Sequence, residues 1–207
     1  MRQKTKASLN VERFEKAPFN LTPGRTILLT LMAGSFVMFV FLLIMMLSRL
    51  SQSNFLNLSI PEPFVVSTWL LLVTSFLMRK TRDHLNDEAF LPVFRHLSWT
   101  MLALSMFSIM QIFAWFSLYQ QVSPYKINTS LINYIYFISG MHFLHALILI
   151  GLITSIWWKF LRLLKNPVAK LIIFTDKSLI ARFRNAEIFC HYTDGIWILI
   201  FISLLFT

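Results

Sequence analysis

The sequence holds a single cysteine, Cys190, in 207 residues. That excludes a disulfide framework and any metal centre built on paired thiolates within the chain. Charge is also scarce: 14% of residues are charged and only nine are acidic, whereas 57% are hydrophobic and 15% aromatic. A soluble domain cannot hide so much apolar surface, because its area-to-volume ratio demands a polar coat. Lipid removes that demand, so the class is all-α integral membrane protein. Internal repeats, low-complexity tracts and a soluble domain are missing as well. No secretory signal is expected, because the first 25 residues lack an apolar core and the first hydrophobic run is too long for one.

What is present is a set of five apolar runs of about 20 residues each, over residues 26–48, 63–78, 96–119, 130–158 and 186–206. Each is expected to be helical, since no water is available in lipid to satisfy the backbone. The second run is short unless its helix continues through 79–84, and the fourth is long enough to tilt. The net charge of +10 does not form one patch, which argues against nucleic acid as a partner. Six basic residues lie in segment 1–25, four between the second and third runs, and seven between the fourth and fifth. Only Arg49 and Lys126 fall on the opposite side, so the N-terminus is expected to be cytoplasmic. The loop at 86–92 and the basic fourth–fifth connection are the expected extramembrane pieces. Within the latter, 168–174 reads either as an interfacial helix or as a solvated connector.

Ionisable groups inside the runs call for a reason. Glu187, His191 and Asp194 fall within about 60° of one another on the last helix, and so share one stripe. An acid at the bilayer centre costs roughly 2.5–3.5 kcal/mol, so Asp194 in particular must face protein. On the fourth helix, His142 and His145 stand at i and i+3, while Gly140 and Gly151 lie on roughly the opposite side, where glycines permit close helix packing. The residues leave several readings open: haem or metal ligation by the histidines, a proton or ion path, or hydrogen bonds that fasten the bundle. A di-metal carboxylate site needs about four acids, and the runs hold only two.

Four stretches resemble subunit III of the haem–copper oxidases. "SGMHFLHALILIG" resembles its TGxHxxHVxxG signature, and "AEIFCHYTDGIWILIFISLLF" resembles its last helix, ExxxxYWHFVDxVWxxLFxxxY. "STWLLLVTSF" (67–76) is similar to NTxxLLxSS, and "QIFAW" (111–115) to QxxEW; the order and spacing of all four agree. The resemblance covers about residues 25–207 and fits the short, five-helix bacterial form. It matches His142, His145, Gly140 and Gly151 to the signature, and Glu187, His191, Asp194 and Trp197 to the last helix. Thr68 and Ser75 fall on the third stretch. Phe36 and Ala114 stand where relatives often carry glutamates.

The resemblance implies an accessory subunit of a terminal oxidase in the bacterial inner membrane, one that stabilises the catalytic subunit I. Haems and copper would sit on partner subunits, with cytochrome c or quinol as electron donor. It also implies that the first two helices stand apart from the other three, leaving a cleft filled with phospholipid. Arg25, Arg79, Lys80 and Arg95 are then candidates for holding head groups, or serve only to set topology. Elimination agrees: a catalytic subunit needs several membrane histidines and a dinuclear copper entry site needs two cysteines, whereas this chain has five histidines and one cysteine. The alternatives are a haem-b cytochrome pairing His142 or His145 with His191, and a nitric oxide reductase accessory protein of the same fold.

Overall fold

A computed structural model describes residues 23–50, 61–122, 130–165 and 167–205. These residues form α1 (Pro23–Leu50), α2 (Glu62–Asn86), α3 (Phe90–Val122), α4 (Ser130–Leu163), the short α5 (Pro167–Ile172) and α6 (Lys177–Leu204). A 3₁₀ turn, Ile173–Thr175, joins α5 to α6. All but α5 are long and apolar enough to cross a membrane, as the five runs predict. The basic segment expected over 1–25 lies outside the described residues except for its last three.

The helices outrun the apolar stretches that announce them. α2 continues past Met78 to Asn86, α3 starts at Phe90 instead of 96, and α6 starts at Lys177 instead of 186. A hydropathy run stops at the first arginine. A helix does not, because Arg79, Lys80 and Arg82 are exposed and long side chains can keep their charges at the surface. Local signals mark the true starts. Pro61 and Pro63 flank the first residue of α2, where a missing N–H costs nothing. Asp176 caps α6 by accepting hydrogen bonds from the Ser178 and Leu179 amides.

The expected loop at 86–92 shrinks to three residues. Glu88 adopts φ 54°, the Ala89 amide donates to the His84 carbonyl (3.0 Å) and the Glu88 amide to that of Leu85 (3.3 Å). This is the Schellman arrangement, with glutamate at a position that favours glycine. It folds α2 tightly back on α3.

α6 is the hub, touching α1, α2 and α4, while α2 also pairs with α3, and α3 with α4. Half of the most apolar window of α6 is buried, against a third for α2, α3 and α4 and 6% for α1. Large rings fill the interior: Phe64 from α2, Phe107 from α3, Phe160 from α4, and Phe183 and Trp197 from α6. The expected division into two helices plus three needs correction. α1 takes its main contacts from α4 and α6, not from α2. The reason lies in its fastenings: Phe39 packs edge-on against His145, and the Tyr192 hydroxyl donates to the Met32 carbonyl (2.9 Å). Among the described residues the first two helices therefore do not pair as a separate two-helix unit. In the fourth–fifth connection, 168–174 is helical, with Ile173 and Phe174 buried and Val168 and Ile172 exposed.

Replacing Glu88 by glycine should raise stability by about 1 kcal/mol, because a left-handed residue with a side chain is penalised. Thermal unfolding of the purified variant should show a midpoint higher by about 2–4 °C. No increase would mean that the turn is not held in this conformation.

Candidate functional site: a polar seam on the last helix

α2 carries Thr68, Ser75 and Arg82 at intervals of seven, hence on one stripe that repeats about every 10 Å. α6 runs antiparallel to it and answers each in turn. Trp197 Nε1 donates to Thr68 Oγ1 (3.0 Å), Ser75 Oγ and His191 Nδ1 share a 2.8 Å hydrogen bond, and Arg82 donates to Glu187 Oε1 (3.0 Å). His191 Nε2 lies 3.9 Å from the same Glu187 oxygen. Glu187 is 7% exposed, so its carboxylate is screened from water by the bundle and neutralised by a guanidinium that itself reaches the surface. Three of the six polar residues expected in the network are thus fastened to α2.

The other three differ. His145 Nδ1 meets the Met141 carbonyl of its own helix (2.8 Å), and its ring packs among Phe39, Phe189 and Tyr192. His142 is fully buried between Phe107 (5.7 Å, edge-on) and Trp197 (4.7 Å). Neither of its ring nitrogens has a hydrogen-bond partner among the described residues. Asp194 accepts from Cys190 Sγ at 3.6 Å through Oδ2, whereas Oδ1 has no partner among the described residues. Although His142 and His145 are three residues apart, one turns to α3 and the other to α1. The expected network is therefore a seam to α2, a fully buried His142, a part-buried His145 and a buried Asp194 beside Cys190.

Among the described residues no helix approaches Gly140 or Gly151 closely. A Cβ on Gly140 would come no nearer than 4.0 Å to Trp115, and Gly151 is exposed with nothing within 4 Å. Helical phase alone placed them, and phase does not reveal which face has a neighbour. Arg25, Arg79, Lys80 and Arg95 are all exposed, with Lys80 Nζ 5.9 Å from the Phe76 ring. Of the two departures from the resemblance, Ala114 is fully buried and Phe36 is 45% exposed.

Several contributors escaped sequence reasoning. Arg82 counted only towards topology, yet its seven-residue spacing from Thr68 and Ser75 is a signal that the stripe extends to it. Tyr192 ties α6 to α1, with Ser35 Oγ 2.6 Å from its hydroxyl. Trp115 Nε1 donates to Ser139 Oγ (2.9 Å), and Trp157 Nε1 to Ser98 Oγ (2.8 Å), pinning α3 to α4 at two levels. Gln111 is fully buried, and neither side-chain polar atom has a partner among the described residues.

Chemically, the seam joins helices. Among the described residues, no three His, Cys, Asp or Glu side chains are grouped to hold a metal ion. Nor do His142, His145 and His191 converge on a common gap: His191 engages α2, His142 engages Phe107 and Trp197, and His145 engages its own helix and α1, while the His84 and His96 rings lie 5.0 Å apart beside the α2–α3 turn.

Removing one side of a seam pair should cost more than removing both. Arg82→Ala leaves the Glu187 carboxylate buried alone and should destabilise by about 1–2 kcal/mol, a value tempered by the half exposure of Arg82. Adding Glu187→Gln should restore part of that loss, as read by reversible unfolding in a double-mutant cycle. Simple additivity would contradict the pairing. Thr68→Val should cost about 1 kcal/mol by stripping the Trp197 N–H of its acceptor; an unchanged unfolding midpoint would remove that bond from the account.

Compared with protein-family models and with curated proteins, the sequence matches none of them.

Proposed function

We propose that this chain is a non-redox accessory subunit, similar to subunit III, of a bacterial haem–copper oxidase that reduces oxygen to water. One observation carries the reading: the four stretches that resemble that family lie against one another. "QIFAW" meets "SGMHFLH" through Trp115 and Ser139, and "SGMHFLH" meets the last helix through His142 and Trp197. The last helix meets "STWLLLVTSF" through Trp197 with Thr68 and His191 with Ser75. Contact between residues as distant in sequence as Thr68 and Trp197 supports the reading.

In this reading the basic end of the bundle faces the cytoplasm. The chain packs beside the catalytic subunit and holds it in its working conformation. The seam supplies rigidity, because hydrogen bonds between helices strengthen a bundle that gains no hydrophobic drive from lipid. Arg25, Arg79, Lys80 and Arg95 contact phospholipid head groups, and their exposure supports that role. The redox chemistry belongs to partner subunits.

Affinity purification of the tagged chain from its native membrane tests this. Mass spectrometry should find a haem–copper catalytic subunit, and the complex should absorb as a haem protein while the isolated chain should not. A Soret band from the isolated chain would overturn the reading in favour of a cytochrome. A nitric oxide reductase as the partner would reassign the enzyme while keeping the accessory role.

A further inference from the structure

A cavity of about 360 Å³ opens between the last turns of α4 and the connection to α6, lined by Lys159, Arg162, Leu163, Ile172, Ile173 and Asp176. Its polar groups are unevenly committed. Asp176 is spent on the fold: Oδ1 accepts from the Ser178 amide (2.9 Å), the Ser178 hydroxyl (2.7 Å) and the Leu179 amide (3.3 Å), and Oδ2 lies 3.6 Å from Lys159 Nζ. These hydrogen bonds, the Ser178 hydroxyl foremost, hold its carboxyl below the usual aspartate range. Arg162 is not spent. Its guanidinium lies 5.5 Å from the Trp158 ring, and no carboxylate pairs with it among the described residues.

The walls are apolar and the position is interfacial. Leu163 and Ile173 line the floor, and Ile172, 60% exposed, stands on the rim with Val168 one turn away. Trp158 is half exposed one turn, about 6 Å, before Arg162, where aromatic residues mark the membrane surface. A free anion would find the cations here but gain nothing from the greasy rim. A lipid uses both.

We infer that this cavity binds the phosphate of an anionic phospholipid, with Arg162 and Lys159 on the phosphate oxygens and Leu163 and Ile172 against the first acyl carbons. The guanidinium fork offers two parallel donors to a phosphate, and Lys159 adds a point charge already steered by Asp176. The exposed apolar ridge of α5 then lies on the bilayer surface, which fixes the entry angle of α6 and with it the basic end of the seam. The site is separate from the head-group residues named above, and it rests only on the chain's being a membrane protein, so it and the oxidase reading fail independently.

The test uses the full chain in vesicles of phosphatidylcholine and phosphatidylglycerol carrying a photoactivatable phosphatidylglycerol, with labelled peptides mapped by mass spectrometry. Labelling should fall on residues 158–176 and exceed that from the matching phosphatidylcholine probe. Lys159→Gln and Arg162→Gln should each weaken it about five-fold, the effect of removing about one interfacial charge. Ile172→Asp, at an exposed position that leaves the cations in place, should also weaken it. Arg79→Gln with Lys80→Gln should leave it unchanged. Equal labelling by the phosphatidylcholine probe, or indifference to both charge variants, would overturn the site. Complete competition by inorganic phosphate would overturn the lipid in favour of a free anion.

Discussion

The bundle depends on the antiparallel seam between α2 and α6. In lipid, burying apolar side chains against each other gains little over leaving them in hydrocarbon, so packing and polar contacts must choose which helices adjoin. Three pairs do this for α6: Arg82 with Glu187, Ser75 with His191 and Thr68 with Trp197. Each group on α6 would be costly alone, and each has its partner at a matching level. A one-residue slip along the seam would break all three at once, so the pairs set register as well as proximity.

From that seam the remaining contacts follow in order. Trp197 reaches Thr68 with its N–H and offers its ring to His142 and Phe107, so one side chain ties α2, α3, α4 and α6 together. Tyr192, five residues earlier on α6, holds α1 through a backbone carbonyl. α1 is thus the outer helix, joined by few groups, which agrees with its largely exposed surface. The tight turn at Glu88 shortens the α2–α3 hairpin.

Much of this was legible in the residues. Hydropathy alone finds five spans, because lipid leaves the backbone no alternative to a helix. The stripe of Glu187, His191 and Asp194 announces an interior face, since acids in lipid demand a partner. What the sequence leaves hidden is which partner. Periodicity places His142 beside His145 but does not tell that their neighbours differ by a helix. It makes Gly151 look like a contact although nothing among the described residues approaches it. Span ends are missed for a related reason: hydropathy measures where lipid ends, whereas capping by Asp176 or the Schellman turn at Glu88 decides where the helix ends. Arg82 hides because a basic residue near a span end already has a sufficient explanation in topology.

Glu187, His191 and Trp197 of the last helix act as fasteners between segments of one polypeptide. The most direct measurement is a high-resolution density map of the chain in its native complex. It should place Thr68, Ser75 and Arg82 within hydrogen-bonding reach of Trp197, His191 and Glu187. A porphyrin or metal ion seated against any of those side chains, or α2 and α6 held apart, would contradict the account.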